Sequence, residues 1–154
     1  MTTPVDIIRI ARTNVLKTVE GLTLDQINKI PTGFNGNLAW HLGHLCSTEQ
    51  GLLYRLSGNN VSLEPSFIDK YKKGSVPQGP ITQAELDFIK KELLDQLEKL
   101  EVDLKQELFK TYTPYTTSFG NSINSFEEAL TFVAVHEGIH YGYVLALKRA
   151  VMND

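Results

Sequence analysis

Apolar residues recur at three- and four-residue spacings along the chain, and four stretches carry the pattern clearly. Val5, Ile8, Val15 and Val19 share one helical stripe. Thr3 is placed as its N-cap, Pro4 at its first helical position, and Gly21 as its stop. Leu38, Leu42, Leu45, Leu52 and Leu56 form a second stripe, predicting a helix from about Asn37 to Leu56 that ends at SGNN. Leu86, Ile89, Leu93, Leu97 and Leu100 mark a third, opened by a capping box at Thr82-x-x-Glu85 and running to about Leu104. Ser125-x-x-Glu128 opens the fourth, which continues through about Met152.

Between the first two helices lies LTLDQINKIPTGFNG, read as a connector because of Pro31, Gly33 and Gly36. The segment from Asn59 to Pro80 reads as a long crossover with room for a short helical turn at SFIDKYKK. TYTPYTTSFGNSIN is a polar loop dotted with aromatics, and no segment shows strand alternation. The expected fold is all-α, a four-helix bundle forming one domain over residues 1–154, with a long crossover between helices two and three.

Composition narrows the function classes. With 42% hydrophobic and 21% charged residues, the chain reads as an ordinary globular protein. A net charge of -3 and the lack of any Lys/Arg run argue against nucleic acid as a partner. The single cysteine, Cys46, precludes an internal disulfide and is read as a packed, inert thiol. The N-terminus lacks a basic region followed by a long apolar core, and no apolar run approaches the roughly 20 residues that span a bilayer. A cytoplasmic location without membrane association is expected.

Candidate chemistry concentrates in the histidines. His41 and His44 lie in helix two, and His136 and His140 in helix four. At 100° per residue, His140 falls about 40° from His136, and Val133, Phe132, Tyr143 and Leu147 share that face. Both imidazoles are therefore expected to point inward, where two from one helix and one from a facing helix can share a divalent metal. His136-Glu137-Gly138-Ile139-His140 also matches the H-E-x-x-H zinc-protease pattern. The third ligand of that scheme is missing: the metzincin extension needs Gly and His where Tyr143 and Ala146 stand, and only 14 residues follow His140. A peptidase is not expected.

NLAWHLGHL in helix two, followed some 90 residues later by HEGIHYGYVLALKR, resembles the DinB-like family, and the match extends in order over almost the whole chain. The resemblance implies an up-up-down-down bundle, often dimeric, with three histidines on a divalent metal such as zinc, nickel or iron. It places those ligands at His44, His136 and His140. The wheel alone puts His41 nearer the leucine stripe than His44, so His41 stays open as a fallback ligand, a supporting group or a residue with no role. The family includes thiol-dependent S-transferases, which implies a low-molecular-weight thiol held as thiolate on the metal. A metal-dependent hydrolase is equally consistent, and the competing class is a non-enzymatic dimeric binding module with a vestigial histidine site.

Three further readings complete the picture. Glu49 falls about 20° from the leucine stripe, either as a buried carboxylate orienting a histidine or acting as a base, or as an edge carboxylate in water. Tyr112, Tyr115 and Phe119 are candidates for a pocket mouth or for pinning their loop. Ala134, Gly138, Tyr141, Gly142 and Leu145 make a second charge-poor face on helix four, predicting a homodimer unless other parts of the same chain cover it.

Overall fold

The structure is a computed structural model that describes residues 2–153. It is all-α apart from one two-stranded ribbon. The helices are α1 (Pro4–Val19), α2 (Leu24–Asn28), α3 (Leu38–Glu49), α4 (Pro65–Tyr71), α5 (Gln83–Lys105) and α6 (Phe126–Asn153). β1 (Tyr115–Thr116) pairs antiparallel with β2 (Ser122–Ile123).

Local chemistry sets these bounds. Thr3 caps α1 in a full capping box with Asp6, and Gly21 turns the chain at φ 77°. α2 was hidden inside the connector, but Thr23 and Gln26 form a second complete box. The other two expected boxes are each half made. Thr82 caps the Glu85 backbone, while the Glu85 side chain instead accepts from Lys70 and Tyr71, both at 2.6 Å. Ser125 caps Glu128, whose carboxylate reaches back one residue further, to the Asn124 backbone.

The expected turn at SFIDKYKK is α4. The expected helix two is α3 extended by a π-helical segment, Gln50–Arg55. Such segments are rare, and they interrupt the regular helix frequently at functional sites.

The long helices α1, α6, α3 and α5 pack in that order around a ring, and α2 and α4 add to α3 from outside it. α1 opposes α5, since Arg9 meets Glu101 and Arg12 meets Leu93. α3 runs with α5: Cys46 lies by Ile89, and Tyr54 bonds Asp103. α3 opposes α6, with His41 beside Tyr143 and His44 beside His136. α1 runs with α6, because Val15 and Val19 share a core with Leu147 and Val151, whereas Val5 and Ile8 share one with Phe126 and Val133.

The helices therefore run up, down, down, up, and the expected up-up-down-down order does not hold. Only consecutive parallel helices need a long crossover. This chain has one, between α3 and α5, whereas up-up-down-down needs two.

α3 is enclosed almost all round. From Leu38 to Ser47 only Trp40 is not fully buried. α5 and α6 cover one side and α4 the other. α4 approaches so closely that a Cβ on Gly43 would lie 2.5 Å from the Tyr71 ring. Glycine is required there by space.

Candidate metal centre and its cavity

His44, His136 and His140 each offer a ring nitrogen, and the three atoms lie within 4.8 Å of one another. α6 supplies two rings one turn apart, with centroids 4.3 Å apart. α3 supplies the third, 5.1 Å from His136 and 4.8 Å from His140. The three rings stand on two rigid helices that face each other.

Each ring has a distinct neighbour. The Nδ1 of His44 lies 2.7 Å from the Tyr71 carbonyl oxygen. A carbonyl only accepts, so Nδ1 carries the proton and Nε2 keeps a lone pair. The Trp40 indole stacks on the same ring at 4.5 Å and 13°, and its own N–H donates to Ser75. The Nδ1 of His140 lies 2.8 Å from the Nδ1 of His41, and His41 stacks on Tyr143. His41 therefore supports His140, which leaves Nε2 of His140 available when its Nδ1 is the donor of that bond. The Nδ1 of His136 is buried without a hydrogen-bond partner.

Burial lowers the pKa of all four imidazoles. His41 falls to about 4 and His136 to about 3, and His140 falls to about 2, with neighbouring imidazoles adding to the burial effect. His44 is also lowered by burial, against the opposing bond to Tyr71. Neutral imidazole is the form that ligates metals. A partnerless nitrogen beside two other neutral imidazoles fits a divalent transition metal better than it fits an ordinary packed core.

The histidines open on a cavity of about 520 Å³, within the range of small-molecule sites. Tyr115 and Phe119 line it, as two of the three candidate loop aromatics. Tyr112 does not; it packs against the core at the α5 end of the hairpin loop. Thr48, one turn after His44, also lines the cavity, with its hydroxyl 3.3 Å from Nε2 of His44.

The carboxylates of both helices lie elsewhere. Glu49 is fully buried, so the reading of it as an edge carboxylate in water is corrected; its charge partner is Arg12, at 2.9 Å, and not a histidine. Glu137 turns into the core and takes two bonds from Arg12, at 2.7 and 3.0 Å. It does not line the cavity, so the glutamate of the H-E-x-x-H pattern is not placed as a base beside the histidines.

Burial raises Glu49 to about 7 against the opposing pull of Arg12, and burial also holds Glu137 above the usual carboxylate range. Burial opposes the Arg12 charge, but Glu137 and Glu49 outweigh it and hold the guanidinium pKa above its ordinary value. This buried cluster was missed from sequence. Its signal was a lone Arg12 on the apolar stripe between Ile8 and Val15.

No curated protein matches the chain significantly. A family model described as the DinB superfamily matches residues 7–144, a span that holds all four histidines, Trp40 and the crossover. With most of its length matched, three histidines brought together on two helices and an all-α fold around them, the chain belongs to the DinB superfamily.

Proposed function

We propose that the protein binds a divalent transition metal (zinc, nickel or iron) through His44, His136 and His140, and acts with it on a small molecule held in the adjoining cavity. The observation that carries this reading is the convergence of three neutral imidazoles at the wall of that cavity. In its support, the ring of α1, α6, α3 and α5 reads as a four-helix bundle, which presents inward side chains from facing helices at fixed separation. A bound metal would supply Lewis acidity and hold a thiolate or a water at a low pKa.

The chain's own residues do the rest. The Tyr71 carbonyl sets the tautomer of His44, His41 holds His140, and Trp40 limits rotation of His44. Leu52, Phe132 and Ile139 exclude water from one wall of the cavity. Thiol-dependent S-transfer is the reaction that suits this site, with a low-molecular-weight thiol as co-substrate; metal-dependent hydrolysis is the other class it suits. One buried cysteine and an all-imidazole ligand set are consistent with a cytoplasmic protein.

The test is cobalt(II) reconstitution of protein purified without a histidine tag. A visible spectrum of bound cobalt is expected, with a sulfur-to-metal band in the near ultraviolet when glutathione or cysteine is added. Cobalt binding without that band leaves hydrolysis as the class. No cobalt spectrum contradicts the proposal.

A second reading concerns assembly. α6 exposes Val135, Ile139 and Tyr143, and Gly138 and Gly142 have open space beside them. Between Ala129 and Leu147 its only charge apart from histidine is Glu137, which is buried. This face is proposed as a homodimer contact. It is narrower than the sequence implied, because the same chain buries Ala134 and partly covers Tyr141.

A further inference from the structure

The charged residues lining the cavity are all cations: Arg55, Lys72 and Lys73. All three are exposed, whereas His44 is buried and His136 and His140 are half-buried, so the cations stand at the mouth and the imidazoles deeper. Among the described residues one carboxylate bonds this group, Asp69, which meets Lys72 at 2.8 Å and also feels the charge of Arg55. Three cations against one carboxylate leave the mouth positive in a chain whose net charge is -3. Between mouth and histidines the wall is apolar, with Trp40, Leu52, Leu56, Phe132 and Ile139.

The backbone places these charges deliberately. Arg55 ends the π-helical segment, and its Nη2 would lie 3.4 Å from a Cβ on Gly51. The guanidinium therefore folds back over the helix beside Gly51, which also lines the cavity. Lys72 and Lys73 follow Tyr71, whose carbonyl anchors His44. One short stretch of the crossover thus sets both the metal-side ring and two of the three cations at the mouth.

We propose that the cavity takes a small amphipathic anion: an apolar body along Leu52, Phe132 and Ile139, with a carboxylate, sulfonate or phosphate group at Arg55, Lys72 and Lys73. This names the ligand class for the site proposed above and rests on that reading only for what meets the histidines. The charged end is recognised by point charges at an open mouth, so the selectivity is moderate and salt-sensitive.

The experiment is calorimetric titration at pH 7.5 of chelator-treated, metal-free protein with octanoate, 1-octanol and octylamine, which share one apolar chain. Octanoate is expected to bind about five- to tenfold more tightly than octanol, and octylamine more weakly than either. The preference should shrink in high salt. It should fall at least twofold in Arg55→Ser/Lys73→Ser, where only Lys72, paired with Asp69, remains, with octanol affinity unchanged, and persist in Arg55→Lys. Equal binding of octanoate and octanol, or an undiminished preference in the double variant, would overturn the proposal. Because metal is absent, this result is independent of the metal reading. His136→Ala should lose metal and keep the octanoate preference.

Discussion

The Nδ1 of His44 donates to the carbonyl of Tyr71 across 2.7 Å, and that bond ties the crossover to the histidine cluster. Tyr71 is fixed in turn. Its ring lies flat against Gly43, and its hydroxyl donates to Glu85 at the start of α5. The ring that would hold metal from α3 is thus oriented by a residue 27 positions away, itself held by contacts to α3 and α5.

Gly43→Ala should disturb both. The added methyl meets a buried ring that has nowhere to go, so a loss of about 1–3 kcal/mol in denaturant unfolding is expected. Metal affinity should fall by about 10- to 100-fold as His44 loses its fixed orientation. Tyr71→Phe is the control. It removes the bond to Glu85 at a cost of about 1 kcal/mol while keeping ring and carbonyl, so metal affinity should hardly change.

Arg12 neutralises two carboxylates in the core. Arg12→Met should destabilise the protein by about 3–5 kcal/mol, because it strands buried charge. Adding Glu49→Gln and Glu137→Gln should restore much of that loss. A triple variant no more stable than Arg12→Met in urea unfolding would show that the arginine acts by packing rather than by charge.

The metal-free protein should weaken in acid. Each cluster histidine has a folded pKa below its ordinary value of 6.5, so the unfolded chain binds protons first as pH falls. Their stabilising contribution is complete above about pH 6.5 and declines below it, by about 1.4 kcal/mol per pH unit for each net proton. Glu49 and Glu137 act with the opposite sign. Their raised folded pKa values stabilise the protein most below about 4.5, and for Glu49 this fades as pH rises through about 7. Four imidazoles outweigh two carboxylates, so the melting temperature should fall from pH 7.5 to 5.5. A flat profile would mean that the rings are not buried neutral.

The α6 face predicts self-association. Sedimentation at micromolar concentration should give a dimer, and Val135→Glu with Gly142→Glu, neither of which lines the cavity, should give a monomer that keeps its metal. A monomeric native protein would remove the dimer reading and leave the metal centre unaffected.

Much of this was legible in the sequence where one element governed the outcome. The leucine stripes, the N-cap of α1 and the two-histidine spacing on α6 depend on local periodicity, and each is found in place. The wheel failed on α3. It assumed one buried face, but α4 covers the opposite side, so His44 is buried away from the leucine stripe. For the same reason the leucine spacing ran straight over the π-helical segment, whose residues Leu52, Leu53 and Tyr54 are buried in succession. The helix order was also within reach, since one long crossover allows only one parallel consecutive pair among four helices. The partnership of His41 with His140, and of Arg12 with Glu49 and Glu137, joins residues about 40 to 125 positions apart and leaves no periodic trace.

Metal analysis of tag-free protein and its single-histidine variants tests the centre most directly. The native chain should carry about one divalent transition metal, and His44→Ala, His136→Ala and His140→Ala should each lose it. His41→Ala should keep the stoichiometry with weaker affinity, because that ring supports His140 rather than facing the other two. A folded native protein that takes up no zinc, nickel or iron on reconstitution, or one that loses metal with His41 but not with His44, would contradict it.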